Sequence, residues 1–124
     1  MKNAIIDSVI KEALKQKYMY HVSSQDFRDS ILKYGLDPRK LADFGFERST
    51  EGTEIYLFDD LSQATHYRYY MSRQEPEGPM DIWIVNVTGL KLKKDYGLIG
   101  GEISEDTNTY YSEKPIPRTR IKLL

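Results

Sequence analysis

Ile55-Tyr56-Leu57-Phe58-Asp59-Asp60-Leu61-Ser62-Gln63-Ala64-Thr65-His66-Tyr67 decides how the rest of the chain is read. Four apolar residues with strand preference run into two aspartates, and either aspartate can cap the helix that follows. The stretch therefore predicts a short buried strand turning directly into a helix. Tyr56 and Tyr67 stand eleven positions apart, one at the strand end and one inside the helix. Both rings belong to a single strand–helix corner.

Outward from that corner, the chain alternates short helices and strands. Ile5, Ile6, Val9, Ile10, Ala13 and Leu14 recur at helical spacing opposite Asp7, Lys11, Glu12 and Lys15, which predicts an N-terminal amphipathic helix over 1–17. A strand over 18–22, Tyr18-Met19-Tyr20-His21-Val22, comes next. Ser23-Ser24-Gln25-Asp26 matches a capping box with Ser23 as N-cap, opening a helix that carries Phe27, Ile31 and Leu32 on one face. Gly35 ends that helix. A short helix is expected around Leu41, Phe44 and Phe46, and polar residues from Arg48 to Gly52 read as a turn.

The corner strand spans 54–58 and its helix 61–73, closed by Gln74-Glu75-Pro76-Glu77-Gly78-Pro79. Residues 80–88 form the strongest strand, apolar on both faces at Ile82, Trp83, Ile84 and Val85, and so expected to be central. The glycine-rich, acidic segment 97–108 is long enough for a functional flap. Thr109-Tyr110-Tyr111-Ser112 and 120–124 read as closing strands, with Pro115 and Pro117 holding their connection extended. The fold class is α+β in one domain, with 18–124 as its body and 1–17 packed on it.

Composition narrows the function classes. A chain of 124 residues with a formal net charge of −1 offers one core and no broad basic face for duplex nucleic acid. It contains no cysteine, so thiolate metal sites and a cysteine nucleophile are excluded. His21, His66 and Asp59 lack any metal-ligand spacing, and no metal is expected. Asp7, Lys11 and Glu12 interrupt a signal-peptide core, and no stretch approaches the ~20 apolar residues of a membrane span. A soluble, cytoplasmic protein is expected. Lys91, Lys93 and Lys94 read as gatekeepers of a strand edge.

Three blocks, in order, carry a resemblance. Tyr20-His21-Val22-Ser23 and Ile31-Leu32-Lys33-Tyr34-Gly35-Leu36 resemble the "H-x-[ST]" strand and the "I-L-x-x-G-L" helix end of the ADP-ribosyltransferase superfamily. Residues 55–67 resemble, without a gap, the poly-ADP-ribose polymerase segment "I-Y-F-A-D-x-x-S-x-S-A-x-Y". Ile116-Pro117-Arg118-Thr119-Arg120-Ile121 looks like the last strand of many small members. Together the blocks span roughly residues 18–124.

The resemblance implies a split β-sheet core with flanking short helices, and NAD as substrate. His21 and Ser23 would bind it, His21 through the adenosine-side ribose. Tyr56 and Tyr67 would bracket the nicotinamide riboside, with Tyr67 stacked on the ring. ADP-ribose would pass to a protein or nucleic-acid acceptor. The family's late-strand glutamate has no counterpart in place, since the template position falls near Tyr110. Glu102, Glu105, Asp106 and Glu113 are the nearby carboxylates; Glu113, on the strand-end side, is the expected catalytic acid, and Glu105 or Asp106 could enter the cleft from the flap instead. Two alternatives go with that departure. One is a degenerate nucleotide-binding module of the same fold. The other is an RNA 2′-phosphotransferase-like enzyme, with Arg118, Arg120, Lys91, Lys93 and Lys94 as phosphate partners.

Overall fold

Strand β1 (Tyr18–Ser24) pairs along its whole length with β3 (Met80–Asn86), and β3 pairs on its other side with β8 (Ile121–Leu123). Beyond β1 the sheet continues through β2 (Ile55–Phe58), β7 (Thr109–Ser112) and β4 (Lys93–Lys94). All pairings are antiparallel, giving a six-stranded sheet of order β4-β7-β2-β1-β3-β8. The computed structural model describes residues 17–44, 54–73, 78–95, 98–99, 102–103 and 109–124. The expected N-terminal helix lies outside these residues. From the expected flap, only β5 (Leu98–Ile99) and β6 (Glu102–Ile103) are described, paired as a small hairpin.

Among the described residues, two α-helices cover the sheet, one per face, so the architecture is α+β as the sequence predicts. Register puts His21 and Ser23 on the face that carries Trp83 and Val85. Helix α1 (Arg28–Tyr34) packs on that face through Ile31, and the core gathers Ile31, Leu36, Leu57, Trp83, Val85 and Ile116. Helix α2 (Leu61–Ser72) covers β1 and β3 on the opposite face, burying Ala64. Its N-cap is Asp60, whose carboxylate accepts from the Ser62 backbone N–H at 2.8 Å. Strand β3 is interior but one place from the sheet edge. Ile82, Trp83 and Val85 are buried because β3 is paired on both sides and covered on both faces.

The start of α1 differs from the sequence reading. Ser23 is the sixth residue of β1, and Ser24 is the cap, accepting from the Asp26 backbone N–H across a 3-10 turn at Gln25–Phe27. The reason lies across the sheet. Ser23 Oγ accepts the indole Nε1–H of buried Trp83 at 3.2 Å, which holds Ser23 in the strand. Arg28, the first residue of α1, is bidentate to buried Asp81 on β3 at 2.9 and 2.6 Å and fixes the helix to the sheet.

The end of α1 follows expectation. Gly35 has φ +82°, and a Cβ there would stand 2.3 Å from the Ile116 carbonyl oxygen. Leu36 and Ile116 exchange both backbone hydrogen bonds, at 2.8 and 3.0 Å. Two of the quoted sequence blocks thus meet directly, and only a glycine permits so close an approach. Pro38–Phe44 is a 3-10 helix, the short helix expected near Leu41. The extended Pro117 leads into a 3-10 turn at Arg118–Arg120. From that turn Arg120 reaches back to the carbonyls of Asn86 and Thr88.

Candidate functional site

Strands β1 and β2 form one residue pair, Tyr20 with Phe58, and then part. Each keeps its other neighbour throughout: β1 stays on β3, and β2 stays on β7 from Ile55 to Phe58. The break is therefore confined to one ladder. A cleft of about 280 Å³ opens there. His21, Ser23 and Ser24 line it from β1, Glu54 and Ile55 from the β2 side, and Tyr67 and Met71 from α2. Phe27, Ile31, Leu36 and Leu41 supply much of its apolar wall.

His21 sits at the parting point. Its Nδ1 lies 2.8 Å from the Tyr56 carbonyl oxygen. A carbonyl only accepts, so Nδ1 carries the proton in this contact. Burial pushes the His21 pKa down, and the hydrogen bond to the Tyr56 carbonyl opposes that shift without cancelling it. The ring is thus neutral near pH 7, and Nε2 keeps its lone pair. The site holds an imidazole acceptor in a fixed tautomer.

Tyr67 lines the cleft and sets its ring against Phe58 at 5.3 Å between centroids, tilted by 45°. Tyr56 contributes differently from the expected clamp. Its backbone carbonyl anchors His21, while its half-exposed ring packs beside Tyr111 at 5.9 Å and is not part of the cleft wall. Burial raises the Tyr56 pKa, as do the negative charges of Glu54 and Asp95, so its hydroxyl stays protonated. Ser23 lines the cleft with its oxygen already accepting from Trp83.

The carboxylates sort by position. Glu113 follows β7, is exposed, and pairs with Lys93 Nζ at 2.5 Å, outside the cleft wall. Glu102 begins β6, and Glu105 and Asp106 lie outside the described residues. Among the described residues, two carboxylates do line the cleft, Asp37 and Glu54. Burial pushes Asp37 up, but the hydrogen bonds and charge of Arg39, with the charge of Lys40, outweigh it and hold the carboxyl below its usual range. Glu54 makes no ion pair among the described residues. Sequence reasoning misses Glu54 because it seeks the acid on a late strand. The available signal is its place just before the corner strand, two residues from Tyr56.

No lysine or arginine belongs to the described wall of this cleft. Its chemistry is a neutral imidazole, hydroxyls, an aromatic ring and carboxylate charge. That set suits a flat neutral or cationic ring with hydroxyls attached better than it suits a phosphate. Among the described residues, no group of three or more His, Asp or Glu side chains gathers to hold a metal ion. No described helix is long and apolar enough to cross a membrane. No protein-family model matches the chain, and no curated protein is significantly similar to it in sequence.

Proposed function

We propose that the chain is an ADP-ribosyltransferase-like protein that binds the nicotinamide riboside end of NAD in the β1–β2 cleft and transfers ADP-ribose to a macromolecular acceptor. The observation that carries this reading is the joint placement of His21 and Tyr67 in one cleft, where, among the described residues, the β1–β2 ladder stops after one pair. His21 Nε2 accepts from a ribose hydroxyl. The Tyr67 ring faces the pyridinium, whose positive charge an aromatic face attracts. With no cation in the described wall, the diphosphate lies outside this part of the site.

The chemistry needs little from the protein beyond orientation and charge. The bond between ribose C1′ and the nicotinamide nitrogen breaks, and its electron pair leaves with nicotinamide, which becomes neutral. The ribose acquires oxocarbenium character, and a carboxylate stabilises that charge. An acceptor oxygen or nitrogen then bonds to C1′ and gives up its proton to a base. Glu54 is the carboxylate in position for both duties, because Asp37 is neutralised by Arg39 and Glu113 stands outside with Lys93.

The reading is tested by calorimetric titration with NAD, followed by an assay for nicotinamide release with a cell lysate as acceptor source. Saturable binding that is lost in Tyr67→Ala, together with release that is lost in His21→Ala, supports it. Absence of NAD binding by the intact chain removes it. Binding without release leaves the cleft a ligand-binding site and withdraws the transfer step.

A further inference from the structure

Among the described residues, three serines line the β1–β2 cleft, and two of them are engaged. Ser23 Oγ accepts from the Trp83 indole, and Ser24 Oγ accepts from the Asp26 backbone N–H. Ser30, in the first turn of α1, is only 1% exposed, yet its hydroxyl makes no hydrogen bond among the described residues. The usual outlet for a hydroxyl on a helix is a backbone carbonyl one turn back. On α2, Thr65 donates to the Leu61 carbonyl at 2.8 Å, and Ser72 donates to those of Arg68 and Tyr69 at 2.8 and 3.1 Å. Ser30 makes no such bond. Its oxygen is not sealed inside the packing either, so the little surface that Ser30 keeps is its hydroxyl, at the cleft wall.

The surroundings of that hydroxyl define its partner. Phe27, Ser30 and Ile31 stand three and four positions apart, share one side of the helical segment, and all line the cleft. Leu36 and Leu41 continue the same wall. Ser30 is therefore one polar point on an apolar surface. An unpaired hydroxyl there costs free energy that a bound group recovers by hydrogen bonding to it. The group must be uncharged. Any full charge would lose its water against apolar side chains, and an anion would also face the carboxylates of Asp37 and Glu54. An amide is the fitting neutral partner, because its oxygen accepts from the hydroxyl and its N–H groups donate to it. A flat ring carrying the amide would rest on Phe27 and Ile31.

We propose that Ser30 sets the specificity of the cleft, its hydroxyl bonding the neutral amide of a flat ring whose body packs on the apolar wall of Phe27 and Ile31. As a site for a small ring amide, this stands on the cleft alone. As a selector of the ring carboxamide of NAD over the corresponding carboxylate, it rests on the function proposed above.

Calorimetric titration of the full chain near neutral pH with nicotinamide, nicotinate and pyridine tests it. Nicotinamide should bind at least about tenfold more tightly than nicotinate, whose charge meets the two carboxylates. Ser30→Ala should weaken nicotinamide by about three- to tenfold, the worth of one ordinary hydrogen bond, and leave pyridine within about twofold. Urea denaturation separates this role from a structural one. The hydroxyl holds nothing in the free protein, so Ser30→Ala should keep its urea midpoint or raise it, unlike Ser23→Ala. A lowered midpoint in Ser30→Ala, equal affinity for nicotinamide and nicotinate, or no nicotinamide binding by the wild type overturns the proposal. NAD and nicotinamide binding that are both indifferent to Ser30→Ala keep the nucleotide site and remove the Ser30 assignment. The expected nicotinamide pattern in a chain that does not bind NAD keeps the Ser30 assignment and removes the nucleotide site.

Discussion

His21 spans the gap between β1 and β2, its Nδ1 donating to the Tyr56 carbonyl at 2.8 Å. One side-chain bond thus follows the single backbone pair of Tyr20 and Phe58, at the place where the ladder stops. The contact satisfies a carbonyl at the edge of the cleft and orients the ring of a candidate binding residue. It also makes the protein sensitive to pH in a defined direction.

Burial lowers the His21 pKa below its ordinary 6.5, so the unfolded chain binds a proton more readily than the folded one. The stability that follows is present above about pH 6.5 and is lost as pH falls from there toward the folded-state value, with a limiting slope of about 1.4 kcal/mol per pH unit. Urea midpoints at pH 7.5 and 5.5 should therefore fall further in the wild type than in His21→Gln. Parallel losses in the two proteins would contradict the assignment.

Gly35→Ala forces a side chain into a φ of +82° and sets its Cβ against the backbone of Ile116 and Arg118, at 2.3 and 2.6 Å. Neither obstacle is a movable side-chain tip. The loss should reach at least about 2 kcal/mol, since the backbone conformation alone costs about 1–3 kcal/mol. Chemical denaturation measures it. A variant within about 0.5 kcal/mol of wild type, the range of an ordinary surface substitution, would mean that the Leu36–Ile116 bridge does not hold α1 to the chain end.

Ser23→Ala removes the acceptor for the buried Trp83 Nε1–H. An orphaned buried donor costs about 1–3 kcal/mol. The variant should lose that much stability, while its NAD affinity should change less than that of Tyr67→Ala. A fully stable Ser23→Ala would show that the indole finds another partner.

The two carboxylates can be separated by paired variants. Glu54→Gln should slow nicotinamide release by about 10²–10³, the range for removing one electrostatic stabiliser of a developing charge, with little change in NAD affinity. Glu113→Gln should remain within about threefold, a change of under 1 kcal/mol, because its carboxylate is held by Lys93 away from the cleft. The reverse pattern would return the acid to the end of β7.

Much of the fold is legible in the sequence because its signals are local. Asp60 before Leu61 and Gly35 after Tyr34 mark helix ends by backbone chemistry that acts within a turn. Ser23 and Ser24 are equally good caps by sequence, and Trp83, sixty residues away, chooses between them. The site divides the same way. His21, Ser23 and Tyr67 come from separate sequence blocks, and the fold brings them to one cleft. Tyr56 stands in the corner block, but it meets His21 only through its carbonyl, and that contact depends on where β1 and β2 part. Glu54 is assigned to the cleft only once register and cleft are known, because its local signal, a place just before the corner strand, does not say which side of the sheet its carboxylate lines.

The most direct test of the central claim is a calorimetric titration of the intact chain with NAD, beside Tyr67→Ala and the surface variant Tyr69→Ala. Saturable one-site binding is predicted for wild type and Tyr69→Ala, weakened by roughly tenfold or more in Tyr67→Ala, as loss of an aromatic contact to a cationic ring requires. No binding by the wild type, or equal binding by all three, would contradict the assignment of the β1–β2 cleft as a nicotinamide site.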